Sequence, residues 1–377
     1  MSKRVLILAG EASGDLHAAH LVSDLMKLAP ETTFFGMGGN HMRQAGVNIL
    51  VDNKQLATVG LGFFKLLKPL ISALRLIKKI IRQSRPDLVI LIDYPGFNLK
   101  IAKYAHKLGV KVLYYISPQV WAWRQGRVKL IDKVVDTMAV VFPFEVDFYQ
   151  RHGIKATFVG HPSVPHTKAT LTKEASYSQW NLDAQHPIVG LMPGSRHGEI
   201  KTLLPIMIGT AKLLKQQNPQ LQFLLPIAST LTPADIKPHI PADLKITFIE
   251  NNTYNALQIC DAVITASGTA TLEIALLGIP MVIIYKVATL TYKIAMRVMK
   301  VKYLGLCNII AEKEVAKEFW QDQATPENIF QQTQKLLVNT HYRHQIQQEL
   351  LRIRNHLVAE NAEKNIAELA LELLNKC

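Results

Sequence analysis

The chain contains 377 residues, of which 49% are hydrophobic and 19% are charged, a composition that excludes a disordered or fibrous protein. It is longer than one hydrophobic core usually supports, so we expect two domains. The net charge of +14 calls for a polyanionic partner, which is nucleic acid, an anionic membrane surface or a phosphorylated substrate. Because the chain lacks an RRM signature, zinc-finger spacing and a basic stripe with interleaved aromatic residues, we expect no nucleic acid.

Cysteine usage and the N-terminus indicate the compartment. The three cysteines, Cys260, Cys307 and Cys377, are widely separated, which excludes a disulfide scaffold and a cysteine zinc site and fits a reducing cytoplasm. Residues 5–9 form an apolar run after Lys3 and Arg4, but this run is too short for the core of a signal peptide. We therefore expect a first β-strand and no export.

Short β-branched runs alternate with helical patterns in two series, which predicts two α/β domains with parallel sheets. The predicted strands are 4–9, 32–36, 87–92, 110–116 and 136–142 in the first series, and 188–192, 221–225, 246–250, 262–265 and 281–285 in the second. A segment at 161–173 that is rich in Pro, Thr and Ser is the predicted linker.

These patterns predict an N-terminal domain over 1–163, a C-terminal domain over 164–344, and C-terminal helices over 345–377. In folds of this kind such a tail often crosses back onto the first domain, and we expect the same here. Two doubly wound domains of this kind face a cleft, and each binds ligands at the carboxyl ends of its strands.

The sequence GEASGD at 10–15 follows the first predicted strand and opens the first helix. Backbone N–H groups are free at such a turn, and Ser13 or Asp15 can cap the helix. The run differs from G-x-G-x-x-G, and the second strand ends in GMGG at 36–39 rather than in an acidic residue, so a dinucleotide dehydrogenase is disfavoured. The structural alternative is a tight turn that needs small residues.

A basic amphipathic segment at 63–82 predicts a membrane-facing surface. Five basic residues interrupt it before Ile80, so the segment cannot span a bilayer. We expect 61–70 to be a loop that enters the membrane interface. The apolar residues of this membrane patch are Phe63, Phe64, Leu66, Leu67 and Leu70. For the C-terminal half, the alternative is a helix packed on its sheet with solvated lysines.

Asp93 ends a very apolar strand and precedes a Tyr-Pro-Gly turn, so partial burial at the end of the sheet can raise its pKa. These properties suit a base for an attacking hydroxyl group, and we predict that Asp93 is this base. His161, His17 and Glu11 are rival bases. The structural alternative is that Asp93 caps the following helix.

Two later segments predict a diphosphate site in the second domain. In LMPGSRHGEI at 191–200, Gly194 and Ser195 form a strand-to-helix turn, and Arg196 offers a fork of donors that suits phosphate oxygens. In ASGTATLE at 266–273, the amides, hydroxyl groups and dipole at a helix start favour a diphosphate. The residues of this second segment are Ser267, Gly268, Thr269, Thr271 and Glu273.

Glu273 lies one turn into this predicted helix, where its carboxylate can accept hydrogen bonds from ribose hydroxyl groups. The alternative is an acidic residue that stabilises the first helical turn. The chain has no D-x-D pair for a nucleotide-bound Mg²⁺ or Mn²⁺, so we expect no metal and no cofactor.

In the order and spacing of seven motifs, the chain resembles the lipid-A-disaccharide synthases of Gram-negative bacteria. The motifs are GEASGD at 10–15, IDYPGFN at 92–98, SPQVWAW at 117–123, FPFE at 142–145, VGHP at 159–162, PGSR at 193–196 and SGTATLE at 267–273. The resemblance implies a GT-B fold and transfer of 2,3-diacylglucosamine from UDP to the 6-hydroxyl of 2,3-diacylglucosamine 1-phosphate, which yields a β-1,6 disaccharide and UDP. It also implies a peripheral location on the cytoplasmic face of the inner membrane.

The resemblance further implies which residues act in the reaction. Asp93 and Arg196 are implied to be catalytic, and Asn308 joins the UDP-binding residues of the second domain. The residues implied to line the sugar cleft are Glu11, Ser13, Gly14, Asp15, Asn98, Gln119, Trp121 and His161. The implied partners are the two acylated substrates and the anionic inner-membrane surface, and a homodimer through the C-terminal tail is a further option.

Two other functions remain open at this point. The first is another UDP-sugar enzyme of the same fold, such as a lipid-linked N-acetylglucosaminyltransferase or a UDP-sugar epimerase. The second is a basic protein without enzymatic activity that binds a membrane or nucleic acid through its charge. Saturable UDP binding that survives high salt distinguishes an enzyme from such an electrostatic binder.

Overall fold

The computed structural model describes residues 3–53, 63–122, 125–228, 230–288, 292, 301–358, 362 and 364–376, without the side chains of 63–67 and 125. The chain divides into two compact units. Unit 1 comprises Met1–Pro162 together with Leu357–Cys377, and unit 2 comprises Ser163–His356.

Unit 1 contains a sheet of seven parallel strands. They are β1 (Arg4–Ala9), β2 (Thr33–Gly38), β3 (Asn48–Asp52), β4 (Leu88–Ile92), β5 (Lys111–Tyr115), β6 (Thr137–Val140) and β7 (Ala156–Phe158). The strand order is β3-β2-β1-β4-β5-β6-β7. The chain therefore winds outward in one direction from β1 and in the other from β4. The reversal between them is the switch point, where doubly wound sheets bind ligands.

Unit 2 contains a sheet of six parallel strands. They are β8 (Ile188–Met192), β9 (Gln222–Pro226), β10 (Thr247–Ile249), β11 (Ala262–Ala266), β12 (Met281–Tyr285) and β13 (Lys317–Trp320). The strand order is β10-β9-β8-β11-β12-β13, so the switch point of this sheet lies between β8 and β11. The predicted class of two doubly wound α/β domains is confirmed.

Fifteen α-helices occur in the described residues. They are α1 (Ala12–Leu28), α2 (Asn40–Gln44), α3 (Phe63–Ser84), α4 (Pro95–Lys107), α5 (Val128–Val134), α6 (Pro143–Gln150), α7 (Lys173–Gln179), α8 (His197–Gln217), α9 (Pro233–Ile236), α10 (Thr253–Leu257), α11 (Thr269–Leu276), α12 (Leu306–Ala311), α13 (Pro326–Val338), α14 (Thr340–Leu357) and α15 (Ile366–Asn375). No helix of this part of the chain is both long enough and apolar enough to cross a membrane.

The central strands are buried on both faces, as expected for parallel sheets between helices. Strand β4 consists only of Leu, Val and Ile, and each of its residues is at most 1% exposed. The C-terminal tail is divided: α14 belongs to unit 2 as far as His356, whereas α15 belongs to unit 1 and packs against α1. A capping box starts α15, because Asn365 Oδ1 accepts from the Glu368 N–H at 2.9 Å and Glu368 Oε2 accepts from the Asn365 N–H at 3.2 Å.

The segment predicted to face a membrane is helical rather than a loop from Phe63 onward. The physical reason is an apolar stripe at four-residue spacing, Ala73, Ile77 and Ile81, which is buried and extends the helix period through the segment. The side chains of Phe63, Phe64, Leu66 and Leu67 lie outside the described residues, and Leu70 is half-buried.

Candidate active site

The switch point of unit 1 brings together the loops that follow β1 and β4. A Cβ atom at Gly10 would lie 2.3 Å from Cδ1 of Tyr94, so only glycine lets the first loop approach this ring. Gly14 is buried, and a Cβ atom there would lie 3.5 Å from the Cβ of Ala9 and 3.6 Å from Cγ2 of Ile92. Gly10 therefore permits the close approach of the two loops, whereas the distances at Gly14 are ordinary van der Waals contacts with the ends of β1 and β4.

Asp93 lies in a strained turn directly after β4. Both Asp93 and Tyr94 have positive φ angles, 43° and 49°, which non-glycine residues rarely adopt. Hydrogen bonds fix the turn: the Asp93 N–H donates to the Tyr115 carbonyl at 3.1 Å, and the Asp93 carbonyl accepts from Tyr114 OH at 2.7 Å and Asn98 Nδ2 at 2.8 Å. The backbone of the predicted base is thus held in one conformation.

The carboxyl group of Asp93 has the raised pKa that the sequence predicts. Burial is the main cause that raises this pKa to about 6; the negative charge of Glu11 contributes to the rise, and a backbone hydrogen bond at Tyr94 partly opposes it. The N-cap of α4 is Tyr94, and no side-chain hydrogen bond caps the helix. The alternative role of Asp93 as a helix cap is therefore not observed.

Two of the predicted cleft residues hold the fold of unit 1 together. The carboxylate of Asp15 is 3% exposed and accepts from the N–H groups of Gly39 at 2.6 Å, His41 at 3.0 Å and Met42 at 3.2 Å. Asn98 is fully buried and ties the end of β4 to α4. Glu11, Ser13 and Gln119 are instead exposed.

Stacked aromatic rings connect the loop after β5 with the residues around α6. Trp121 meets Phe144 edge to face at 5.0 Å, Phe144 stacks on Phe142 at 5.6 Å, and Phe142 stacks on His161 at 5.3 Å between ring centroids. Burial, with a contribution from His17, lowers the pKa of His161 to about 3. Such a weak base is poorly suited to accept a proton at neutral pH, which disfavours His161 as the rival to Asp93.

Glu145 is a buried carboxylate to which the sequence reasoning gave no role. Its side chain, 1% exposed, accepts from Ser117 Oγ at 2.5 Å, from Trp121 Nε1 at 2.9 Å, and from the N–H groups of Phe142 at 3.1 Å and Val141 at 3.3 Å. Burial raises its pKa to about 7 even though all four hydrogen bonds lower it. The signal in the sequence was the capping-box position of this residue, three after Phe142.

In unit 2, the turn after β8 presents Arg196 at the start of α8. Glu199 shapes this turn, because its Oε2 accepts from the N–H groups of Ser195 at 2.8 Å and Arg196 at 3.3 Å. A Cβ atom at Gly194, where φ is +115°, would lie 2.1 Å from this oxygen, so glycine is required there. The Arg196 side chain is 73% exposed and 3.5 Å from Glu199 Oε1.

The turn after β11 leaves the start of α11 open. Gly268 and Thr269 are exposed, and no atom lies within 4 Å of a Cβ built on Gly268. The neighbouring hydroxyl groups are used internally: Ser267 Oγ donates to the Leu304 carbonyl at 3.0 Å, and Thr271 Oγ1 donates to the Gly268 carbonyl at 2.7 Å. Backbone N–H groups at this open helix start can therefore donate to an anion.

Two of the residues predicted to bind the nucleotide, Glu273 and Asn308, differ in their exposure. Glu273 is half-buried, and burial raises its pKa while a hydrogen bond with Tyr254 lowers it. Asn308 is fully buried; its Nδ2 donates to Glu318 Oε1 and the Ala316 carbonyl, both at 2.7 Å, and its Oδ1 accepts from two backbone N–H groups. Asn308 thus braces the residues around β13.

Glu318 is a second buried carboxylate that the sequence reasoning missed. Besides Asn308, it accepts from the N–H groups of Leu304 and Gly305, each at 2.9 Å, and from Trp320 Nε1 at 2.8 Å. Across the described part of the chain, no cluster of three or more His, Cys, Asp and Glu residues could hold a metal ion.

Comparisons with known proteins point to one family. A family profile described as lipid-A-disaccharide synthetase matches residues 5–372. The lipid-A-disaccharide synthase of Geobacter metallireducens is 47% identical over 377 residues, which cover 100% of this chain and 98% of the relative. The lipid-A-disaccharide synthase of Coxiella burnetii is 44% identical over 374 residues, with 99% of each chain covered.

Solved structures with low sequence identity share the fold. MurG of Acinetobacter baumannii aligns with a TM-score of 0.58 at 17% identity, and the alignment covers 100% of both chains. These similarities, together with the two parallel sheets, establish the GT-B type of fold.

Proposed function

The chain belongs to the lipid-A-disaccharide synthase family, and we propose that Asp93 is the base with which this glycosyltransferase of lipid A biosynthesis activates its acceptor. The proposed reaction moves 2,3-diacylglucosamine from UDP to the 6-hydroxyl of 2,3-diacylglucosamine 1-phosphate. Its products are the β-1,6-linked disaccharide 1-phosphate and UDP. The observation that carries the mechanism is the strained turn that holds Asp93 at the switch point of unit 1.

A pKa of about 6 suits Asp93 to this role. At pH 7 roughly ten carboxylates are ionised for each protonated one, yet the group is a stronger base than an ordinary aspartate. The acceptor hydroxyl gives its proton to Asp93 while its oxygen attacks the anomeric carbon. The bond from that carbon to the diphosphate oxygen breaks, and its electron pair leaves with UDP, which inverts the anomeric centre.

We assign UDP to unit 2. The exposed guanidinium of Arg196 meets the diphosphate as its negative charge grows, and this interaction makes Arg196 catalytic as well as UDP-binding. The N–H groups around Gly194, Ser195, Gly268 and Thr269 add donors at two helix starts. The carboxylate of Glu273 accepts from the ribose hydroxyl groups. The remaining predicted residues, Ser267, Thr271 and Asn308, shape this site through their internal hydrogen bonds.

In unit 1, we propose that the exposed residues Glu11, Ser13 and Gln119 contact the sugar. The other predicted cleft residues are buried or half-buried, and we propose that they support the exposed ones. They are Gly14, Asp15, Asn98, Trp121 and His161. The chemistry assigned here uses protein groups alone and needs neither metal nor cofactor.

We also propose that helix α3 binds the cytoplasmic face of the inner membrane. Its outward side combines the exposed apolar residues Ile71 and Leu76 with the exposed cations Lys68, Arg75 and Lys79. Such a surface suits an interface with anionic lipid, where the acylated substrates reside. Exposed apolar residues on α13 and α14, Val338 and Leu351, are candidates for the homodimer contact.

Product formation tests the proposed function. Purified protein is incubated with UDP-2,3-diacylglucosamine and 2,3-diacylglucosamine 1-phosphate, and the disaccharide 1-phosphate and UDP are quantified by mass spectrometry. We expect the two products in equal amounts, and only when both substrates are present. UDP release without the acceptor, or turnover of UDP-N-acetylglucosamine in place of the acylated donor, would overturn the substrate assignment.

A further inference from the structure

The carboxylate of Glu145 forms hydrogen bonds with two parts of unit 1 that are separated in sequence. Its Oε2 accepts from the N–H groups of Val141 and Phe142, at the start of its own helix α6. Its Oε1 accepts from Ser117 Oγ and Trp121 Nε1, which belong to the loop 117–122 after β5. One carboxylate therefore fixes this loop to α6 at both of the loop's ends.

The loop 117–122 follows a strained residue. Ile116 has a φ angle of 61°, a left-handed conformation that is rare for a β-branched side chain and persists only when the surrounding structure enforces it. The Ile116 N–H donates to the Ala139 carbonyl at 3.1 Å, and the next residue, Ser117, is held by Glu145. The hydrogen bonds of Glu145 thus belong to the contacts that maintain this strain.

The strained residue lies beside the turn of the proposed base. Tyr115 pairs with Ile92 in neighbouring strands, and the Tyr115 carbonyl accepts from the Asp93 N–H at 3.1 Å. A change in the backbone at Ile116 therefore reaches Asp93 through a single hydrogen bond. Displacement of a catalytic group such as Asp93 by about 1 Å is enough to lower the rate of a reaction roughly a hundred-fold.

We propose that Glu145 is a positioning residue for the transfer reaction. Its carboxylate holds the loop 117–122 in the strained conformation that sets the position of Asp93, although Glu145 itself does not contact the substrates. This inference rests on the proposed function, in which Asp93 is the base.

The hydrogen bonds predict an unusual substitution pattern, because four donors meet two oxygens. In Glu145→Gln, the new NH₂ group must face either two backbone N–H groups or the Ser117 and Trp121 side chains. A serine hydroxyl can turn and accept, whereas an indole N–H only donates. The indole N–H of Trp121 is thus the donor that the NH₂ group of a glutamine at position 145 cannot satisfy. The Trp121→Phe change removes this N–H and keeps an aromatic ring against Phe144.

The test compares Glu145→Gln, Trp121→Phe and the double variant by steady-state kinetics and by UDP titration. We expect Glu145→Gln to lower kcat about ten- to hundred-fold, with KM for the UDP-sugar and the Kd for UDP within about two-fold of the unmodified protein. In the Trp121→Phe background, the same change should lower kcat by less than about three-fold. Glu318→Gln in unit 2 is the matched control, and it should weaken UDP binding instead.

An unchanged kcat in Glu145→Gln, or equal losses in both backgrounds, would overturn the proposal. If Glu145→Gln does not fold, Ser117→Ala and Trp121→Phe take its place: each should lower kcat at unchanged UDP affinity, and normal kcat in both contradicts the inference. Asp93→Asn is measured in parallel. Full turnover in Asp93→Asn refutes the proposed base, whereas an inactive Asp93→Asn beside a normal Glu145→Gln refutes only the positioning role.

Discussion

The carboxyl ends of the two sheets share a topology but differ in chemistry. In unit 1 this end carries two acids with raised pKa values, the half-buried Asp93 at about 6 and the buried Glu145 at about 7. It also carries left-handed backbone at Asp93, Tyr94 and Ile116. In unit 2 it carries an exposed arginine, Arg196, and an open helix start. The first arrangement suits proton transfer, and the second suits reception of an anion.

Both ends nevertheless use the same kind of anchor. Glu145 and Glu318 are each buried, and each accepts two backbone N–H groups, one tryptophan indole and one further side chain. The comparison shows that one local solution for holding a loop serves two different chemical tasks. The task is decided by the exposed residues beside the anchor.

The largest expected effect is on the base. Asp93→Asn keeps the shape of the side chain but removes its ability to take a proton, so kcat should fall about 10²- to 10⁴-fold. The Kd for UDP, measured by calorimetry, should stay unchanged because UDP is assigned to unit 2. Asp132→Asn, an exposed change on α5, is the control. A large loss of UDP affinity in Asp93→Asn would break the division between the two units.

Arg196→Ala and Glu273→Ala test the assignment of UDP to the carboxyl end of the sheet in unit 2. Each removes a charged hydrogen-bonding group worth about 1.5–3 kcal/mol, so UDP should bind roughly ten- to hundred-fold more weakly. Lys201→Ala, which removes an exposed cation further along α8, should leave the titration unchanged. Normal UDP titrations in both folded site variants would put the nucleotide elsewhere.

Helix α3 provides a third surface for comparison. Lys68→Gln with Arg75→Gln should weaken binding to anionic vesicles by about 1 kcal/mol per charge at low salt, while kcat with short-chain substrates is retained. The matched control is Lys100→Gln with Lys103→Gln, the same loss of charge on exposed positions of α4. Equal losses in both double variants would mean that net charge, rather than the α3 surface, drives membrane binding.

The pH dependence gives a smaller effect with a defined sign. Protonation of Asp93 should lower kcat/KM as the pH falls through about 6. Because the charge of Glu11 raises this pKa, Glu11→Gln should lower it, and the acid limb of the profile should move to lower pH. Glu31→Gln, an exposed acid of unit 1, serves as the control. If the acid limb of the kcat/KM profile does not move in Glu11→Gln, a group other than Asp93 controls this limb.

No effect at all is expected from chelation. Since Arg196 and backbone N–H groups are assigned to the leaving diphosphate, protein stripped of bound ions should keep its full activity in excess EDTA. A strict requirement for added Mg²⁺ or Mn²⁺ would mean that the protein groups of unit 2 do not balance the charge alone.

The sequence predicted the inner strands of both sheets well, because their β-branched runs are buried on both faces. The sequence patterns did not predict β3, β7 and β13, which are edge strands of the two sheets. Strand β3 mixes exposed and buried residues and therefore lacks an apolar run, whereas β7 is buried but only three residues long. The position of Asp93 at the end of β4 was predicted because that strand is so strongly apolar.

The bracing carboxylates were not predicted from the sequence. Glu199 and Glu145 have a local signal, the third position of a helix, but Glu318 lies in a strand and meets Asn308 and Trp320 only in the folded unit. The burial of Asn308 and Asp15 was likewise not predictable from a motif. A polar residue within a motif binds a ligand or braces the backbone, and only its folded surroundings decide which.

The division of the C-terminal tail has a consequence for biosynthesis. Helix α15, which buries Leu369 and Leu373 and packs against α1, is translated only after the whole of unit 2. The ribosome therefore completes the second unit before the helix that packs against α1 in the first unit has been made. Nascent unit 1 must wait for its last helix, and that interval is when a chaperone or a premature stop would matter most.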